Sequence, residues 1–164
     1  MSVARRNGQT MTTENAQQNL TEYVTAMVGG QLFGLPIVRV QDVFIPERLT
    51  RVPLAPPEIA GVLNLRGRIV TLIDLHLRFG LGKGGDGDSS MAIGVESRTE
   101  SYGLLIDSVG EVLKLDDAAR EPNPINMDAR LARMSAGIHR LDGQLLIVVD
   151  IDRVLDIGAD AIAA

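Results

Sequence analysis

The sequence contains no cysteine, which excludes disulfides and thiolate metal ligands. Tryptophan is also absent, and aromatic residues reach only 3%. A protein that grips single-stranded nucleic acid needs stacking platforms set in a positive groove. Here the net charge is −5, and Arg5-Arg6 is the only basic pair in the N-terminal stretch. Nucleic acid is therefore not an expected partner. Apolar runs are short: none approaches the roughly 18 residues of a membrane-spanning helix. The first twenty residues hold no apolar segment that could serve as a signal peptide. Together these absences predict a cytoplasmic protein with no direct membrane insertion.

What is present is aliphatic. Hydrophobic residues make up 45% of the chain, so a core must be built from Val, Ile and Leu, whose β-branched members favour strands. Residues 1–19 are polar and predict a disordered N-terminal tail. From Leu20, short apolar runs broken by Gly and Pro predict strands over 21–28, 31–35, 50–53, 60–65, 68–76, 91–97, 101–107, 110–115, 134–141 and 144–151. Pro36 suits the first position of a short helix with Ile37, Val40 and Phe44 on one face. A closing helical turn is predicted over 151–157, with Ile151, Val154 and Leu155 inward. Residues 116–132, with Pro122 and Pro124, read as a long connection with one helical turn. Residues 80–90 form a Gly-rich loop and 158–164 a short C-terminal tail.

The two halves repeat each other. Residues 60–75 (AGVLNLRGRIVTLIDL) align without gaps on 136–151 (AGIHRLDGQLLIVVDI), matching Ala60, Gly61, Leu65, Gly67 and Asp74 with Ala136, Gly137, Leu141, Gly143 and Asp150. Phe33-Gly34-Leu35 with Val40, Asp42 and Val43 likewise matches Tyr102-Gly103-Leu104 with Val109, Glu111 and Val112. The expectation is one domain over 20–157, made of two five-stranded lobes at about 20–89 and 90–157, each closing into a small barrel. The symmetry breaks at one turn: Arg66-Gly67-Arg68 offers two cations where Asp142-Gly143 offers an acid. Strands such as 69–73 and 145–149 hardly alternate, so both faces need cover, and any uncovered remainder would mark a partner interface.

Four groups of residues are candidates for chemistry. Gly80-Leu81-Gly82-Lys83-Gly84-Gly85 fits G-x-G-x-x-G, but no helix succeeds it to hold a pyrophosphate, so it reads as a loop. Asp86 and Asp88 suggest a calcium loop, yet Met91 and Ser97 stand where Gly and Glu are required. Asp74 and Asp150 occupy equivalent positions, but neither has the Thr/Ser-Gly context of an aspartic-protease dyad, and a carboxylate ending a strand caps the adjoining turn or helix. Asp74 with His76 offers a base without a nucleophile. The two histidines, His76 and His139, read as surface residues. No catalytic residue, metal site or cofactor site is assigned.

The motifs Gly61-Val62-Leu63-Asn64-Leu65-Arg66-Gly67-Arg68-Ile69-Val70 through Ile73-Asp74-Leu75, and Tyr102 to Leu113, resemble CheW-type chemotaxis coupling proteins. Phe33-Gly34-Leu35-Pro36, Val40-Gln41-Asp42-Val43 and Gly137 to Val149 fit the same pattern, so the resemblance covers residues 21–157. Thr71 departs from it where Pro is common, and His76 where Arg is common. The resemblance implies an all-β fold of two SH3-like five-stranded β-barrel lobes packed together, with short helices at connections and near the C-terminus. It also implies a non-enzymatic adaptor that couples chemoreceptor cytoplasmic tips to a CheA-type histidine kinase, whose regulatory domain resembles CheW itself. Such a protein would be recruited to membrane-associated receptor arrays. On that likeness Val40, Asp42 and Val109 match positions of receptor or kinase contact. Gly61 and Arg66 match positions whose integrity matters for coupling, and Asn64 and Gly67 complete the same interaction motif. The alternatives are a scaffold of a non-motility chemosensory pathway and, behind it, a small-barrel ligand binder or a hydrolase.

Overall fold

Short aliphatic runs separated by two-residue turns have one economical outcome, which is antiparallel pairing of neighbours with both faces of the sheet buried. The computed structural model describes residues 19–81 and 91–157. Of the predicted tails at 1–19 and 158–164 and the loop at 80–90, residues 1–18, 158–164 and 82–90 lie outside the described residues. Ten strands run in the order β1 (Leu20–Val28), β2 (Gln31–Pro36), β3 (Val40–Phe44), β4 (Ile59–Leu65), β5 (Arg68–Asp74), β6 (Met91–Ser97), β7 (Glu100–Ile106), β8 (Ser108–Asp116), β9 (Ser135–Leu141) and β10 (Gln144–Val149). Three short helices accompany them: α1 (Leu75–Phe79), α2 (Ala129–Arg133) and α3 (Ile151–Leu155).

The strands form two five-stranded sheets, ordered β3-β6-β7-β5-β4 and β8-β1-β2-β10-β9. We call the first sheet the first lobe and the second sheet the second lobe. Their architectures correspond strand for strand. In each, a hairpin (β6-β7 or β1-β2) lies at the centre, a parallel pairing joins it to the second strand of another hairpin (β5 on β7, β10 on β2), and a bulged strand closes one edge. The internal repeat is therefore structural, but the predicted lobe limits of about 20–89 and 90–157 are wrong. Each lobe takes its central hairpin from one half of the chain and its other three strands from the other half. The repeat unit in sequence is β1–β5 or β6–β10, and the connections after β2 and β7 cross between sheets. Neither sheet closes its hydrogen-bond ladder into a full barrel; both retain two edges.

Three aliphatic clusters account for the near-absence of alternation along the strands. Leu63, Val70, Leu72, Ala92 and Leu105 fill the first lobe. Tyr23, Leu146 and Val148 fill the second. The opposite faces of the same strands meet in a larger joint core that includes Leu35, Ile73, Ile93, Leu104, Ile147 and Val149. Phe33 of β2 stacks on Phe79 of α1 within it, ring centroids 4.6 Å apart, tying one lobe to the other. A fully buried aliphatic side chain contributes about 1.5–3 kcal/mol, so the joint core is the principal stabilising element. Arg78, fully buried on α1, donates from Nε to the Val154 carbonyl and from Nη2 to the Arg153 carbonyl, both at 2.8 Å. It thereby holds the last turn of α3 against α1.

Local differences from the sequence reading have physical causes. The helix expected from Pro36 is a single 3-10 turn, Ile37–Arg39, after which Val40–Phe44 pairs with β6. The β-branched Val40 and Val43 are disfavoured by crowding in a helix and pack well on a pleated strand. The strand expected at 50–53 shrinks to one bridge, Thr50 with Val62. The strand expected over 68–76 ends at Asp74, whose carboxylate accepts from the His76 N–H at 2.9 Å and starts α1. Asp150 caps α3 in the same way, as expected for a strand-ending carboxylate. His76 and His139, expected at the surface, are both buried. His76 is held by the Asp107 carboxylate, 3.1 Å from Nε2, and Asp107 in turn accepts from the Gly29 N–H.

Candidate protein-interaction site

Five of the seven residues singled out from the sequence lie in one region of the first lobe. Leu65 pairs with Arg68, leaving Arg66-Gly67 as a two-residue turn in which both φ angles are positive, 54° and 84°. The Asn64 side-chain oxygen accepts from the Gly67 N–H at 2.9 Å and fixes that turn. The turn carries Arg66 outward, with its side chain 79% exposed, and its guanidinium lies 3.9 Å from the Asp42 carboxylate on β3. Opposite edges of the sheet thus approach within ion-pair reach although they share no ladder. Arg68 meets Glu96 at 3.1 Å, and Gln41 donates to the same carboxylate. Exposed pairs of this kind add at most about 1 kcal/mol of stability; their consequence is a charged, ordered rim.

Gly61 builds the wall behind the rim. Thr50 and Val62 exchange two backbone hydrogen bonds of 2.8 Å, laying residues 45–50 as a strap along β4. Gly61 has φ +153°, and a Cβ there would stand 2.5 Å from the Thr50 carbonyl oxygen and 2.9 Å from the Leu49 side chain. Only glycine permits that approach.

Between strap and turn runs an open groove of about 700 Å³, lined by Phe44, Ile45, Val62, Leu65 and Ile69, with Asn64 and Thr50 among its polar groups. Ile45 is 68% and Ile69 64% exposed. On the other side of the turn a depression of about 290 Å³ is lined by Asp42, Arg66, Arg68 and Tyr102. The Tyr102 hydroxyl titrates above its ordinary range because burial, then the Glu100 carboxylate that accepts its hydrogen bond, both disfavour the phenolate.

Val40 and Val109 are placed otherwise. They are equivalent residues of β3 and β8, both half-buried against the joint core. Val109 belongs to the second lobe, apart from the Arg66 turn. The sequence reading missed Ile45 and Ile69. Ile69 sat in a non-alternating strand, where periodicity cannot tell which aliphatic faces solvent. Ile45 adjoined a segment read as helix.

Among the described residues, no three His, Asp or Glu side chains converge as metal ligands, and no helix is long and apolar enough to cross a membrane.

Comparison with known proteins adds the decisive observation: residues 22–158 match the family model described as a CheW-like domain. The chain belongs to the CheW-like domain family. A chemotaxis protein CheW of Klebsiella aerogenes is 29% identical to it over 82% of this chain and 81% of that protein. One from Rhizobium meliloti is 27% identical over 85% and 93%. Among solved structures, the scaffolding protein TtCheW from Thermoanaerobacter tengcongensis superposes with a TM-score of 0.71 at 34% identity, covering 79% of this chain and 83% of that one. The CheW-like assignment accounts for the paired lobes, and the SH3-like character expected of the two sheets agrees with it.

Proposed function

We propose that this CheW-like chain is a non-enzymatic adaptor that couples chemoreceptor cytoplasmic tips to a CheA-type histidine kinase. The observation that carries the reading is the first-lobe groove. Among the exposed large hydrophobic residues, Ile45 and Ile69 are brought together in one groove, beside an ordered arginine turn. An apolar strip rimmed by charge suits a protein partner: the strip supplies affinity and the rim supplies orientation and approach rate. The groove and the Arg66 turn take the kinase regulatory domain in this reading, with Asp42, Gly61, Asn64 and Gly67 shaping the contact. Val40 and Val109 set the packing between lobes that a second partner, the receptor tip, would read. The protein reaches the membrane-associated array through these partners.

Calorimetric titration of the purified chain with the regulatory domain of its cognate CheA-type kinase tests this, with Arg66→Glu in parallel. Saturable binding by the wild type is expected, weakened about tenfold or more by Arg66→Glu at unchanged circular dichroism. A folded wild type that binds neither the kinase domain nor a receptor-tip fragment would sink the adaptor reading.

A further inference from the structure

The connection from strap to β4 contains a residue that neither the fold nor the groove uses. Leu54 lies between Pro53 and Ala55-Pro56-Pro57, is fully exposed, and has φ +66°. A left-handed backbone suits Gly or Asn; a leucine there strains against its own carbonyl. The whole side chain is exposed, so no burial in the monomer offsets that strain. The backbone around it is nevertheless held: the Ala55 N–H donates to the Val52 carbonyl at 3.3 Å and the Ile59 N–H to the Pro56 carbonyl at 2.9 Å. Three prolines further restrict the segment, so the side chain is presented in a preset direction at little entropic cost on binding.

We infer that Leu54 is an anchor that inserts into an apolar pocket of the kinase regulatory domain docked on the first-lobe groove; this rests on the adaptor reading above. Two observations select that occupant over a second copy of the chain or a loose loop contact. The loop is continuous with the groove wall, because Thr50 at its start is bonded to β4 and Leu49 packs against Gly61. The exposed Arg48 and Arg51 both precede it on the same connection, and residues 48–54 carry no acid, so the pocket it enters is expected to be apolar with a carboxylate rim. Strain at an exposed position is a cost to the free protein that binding can recover, and such residues collect at recognition sites.

The test compares wild type with Leu54→Gly, Leu54→Asn and Leu54→Met, reading thermal unfolding and calorimetric affinity for the kinase regulatory domain. Gly and Asn both accept the left-handed backbone. The expected result is a melting temperature equal to or above wild type for both, with affinity reduced tenfold or more, and affinity within threefold of wild type for Leu54→Met. Wild-type affinity in the Gly and Asn variants would overturn the inference while leaving the adaptor reading standing. A lowered melting temperature in those variants would also overturn it, by showing Leu54 to be a structural residue. Absence of binding by the wild type itself would remove the adaptor reading and this inference together.

Discussion

The two lobes share a skeleton and differ in what fills it. Leu63 and Ala92 in the first lobe correspond to His139 and Tyr23 in the second, where the two rings lie 5.9 Å apart. Thr50, which straps β4, corresponds to Glu121, which bridges to Ile138 in the same way and adds an ion pair to Arg140 at 3.0 Å. Ile69, open to solvent, corresponds to Leu145, half-buried against the joint core. Ile45 corresponds to Lys114. One backbone thus yields an apolar groove in one copy and a polar, ion-paired face in the other. Two copies of one fold come to present different surfaces through a few substitutions at equivalent positions, with the glycines and bulges that shape the sheet retained in both.

The comparison holds only while the lobes are locked together, and the largest effect is expected at that lock. Arg78→Met removes the buried cation that joins α1 to α3 and leaves two carbonyls and the Glu58 carboxylate without it. Breaking a buried ionic contact typically costs about 3–5 kcal/mol, readable as a fall in the urea midpoint. Next come the paired glycines. Gly61→Ala and Gly137→Ala should each cost about 1–3 kcal/mol, since both have positive φ and both face a backbone carbonyl at close range. Only Gly61→Ala should also lower affinity for the kinase domain beyond the loss explained by unfolding. A third pair separates binding from packing. Ile69→Glu should leave stability within about 0.5 kcal/mol and reduce kinase-domain binding, whereas Leu145→Glu should do the reverse.

The smallest effect is one of pH. Burial is the main cause that holds His139 below its ordinary imidazole value of 6.5, with the Arg120 charge acting in the same direction. Above that pH the residue is neutral in both folded and unfolded chains and contributes no slope. As pH falls below it, the unfolded chain takes up the proton first, so stability drops until the folded imidazole also titrates. Its Nε2 has no hydrogen-bond partner, and the Asp117, Asp116 and Glu121 carboxylates, which favour the charged form, only partly offset burial. His139→Leu, which copies Leu63 of the first lobe, should flatten the acid side of the stability profile; an unchanged profile would assign that slope elsewhere.

Much of this was legible from residues. Turns at Arg66-Gly67 and Asp142-Gly143, the capping roles of Asp74 and Asp150, and the repeat itself arise from short-range patterns that local physics enforces. The partition into lobes was not legible, because pairing of β2 with β10 and of β5 with β7 is decided between residues distant in sequence. The burial of His76 escaped notice for a similar reason: its partner Asp107 comes from the far half of the chain. The groove was half legible. Arg66 stood out as a break in symmetry, while Ile45 and Ile69 are ordinary aliphatics whose exposure depends on which face the strap leaves open.

The exchange of strands between halves has a consequence for how the protein is made. A ribosome delivers β1 and β2 first, yet their sheet lacks three strands until β8, β9 and β10 have emerged. The first-lobe strands β3 to β5 likewise wait for β6 and β7. Neither sheet can mature before most of the chain has been synthesised, so the nascent polypeptide carries unpaired edges over an extended interval. The domain is in effect a two-fold swapped dimer written on a single chain. Separately expressed halves should be insoluble alone and recover a native spectrum only when mixed.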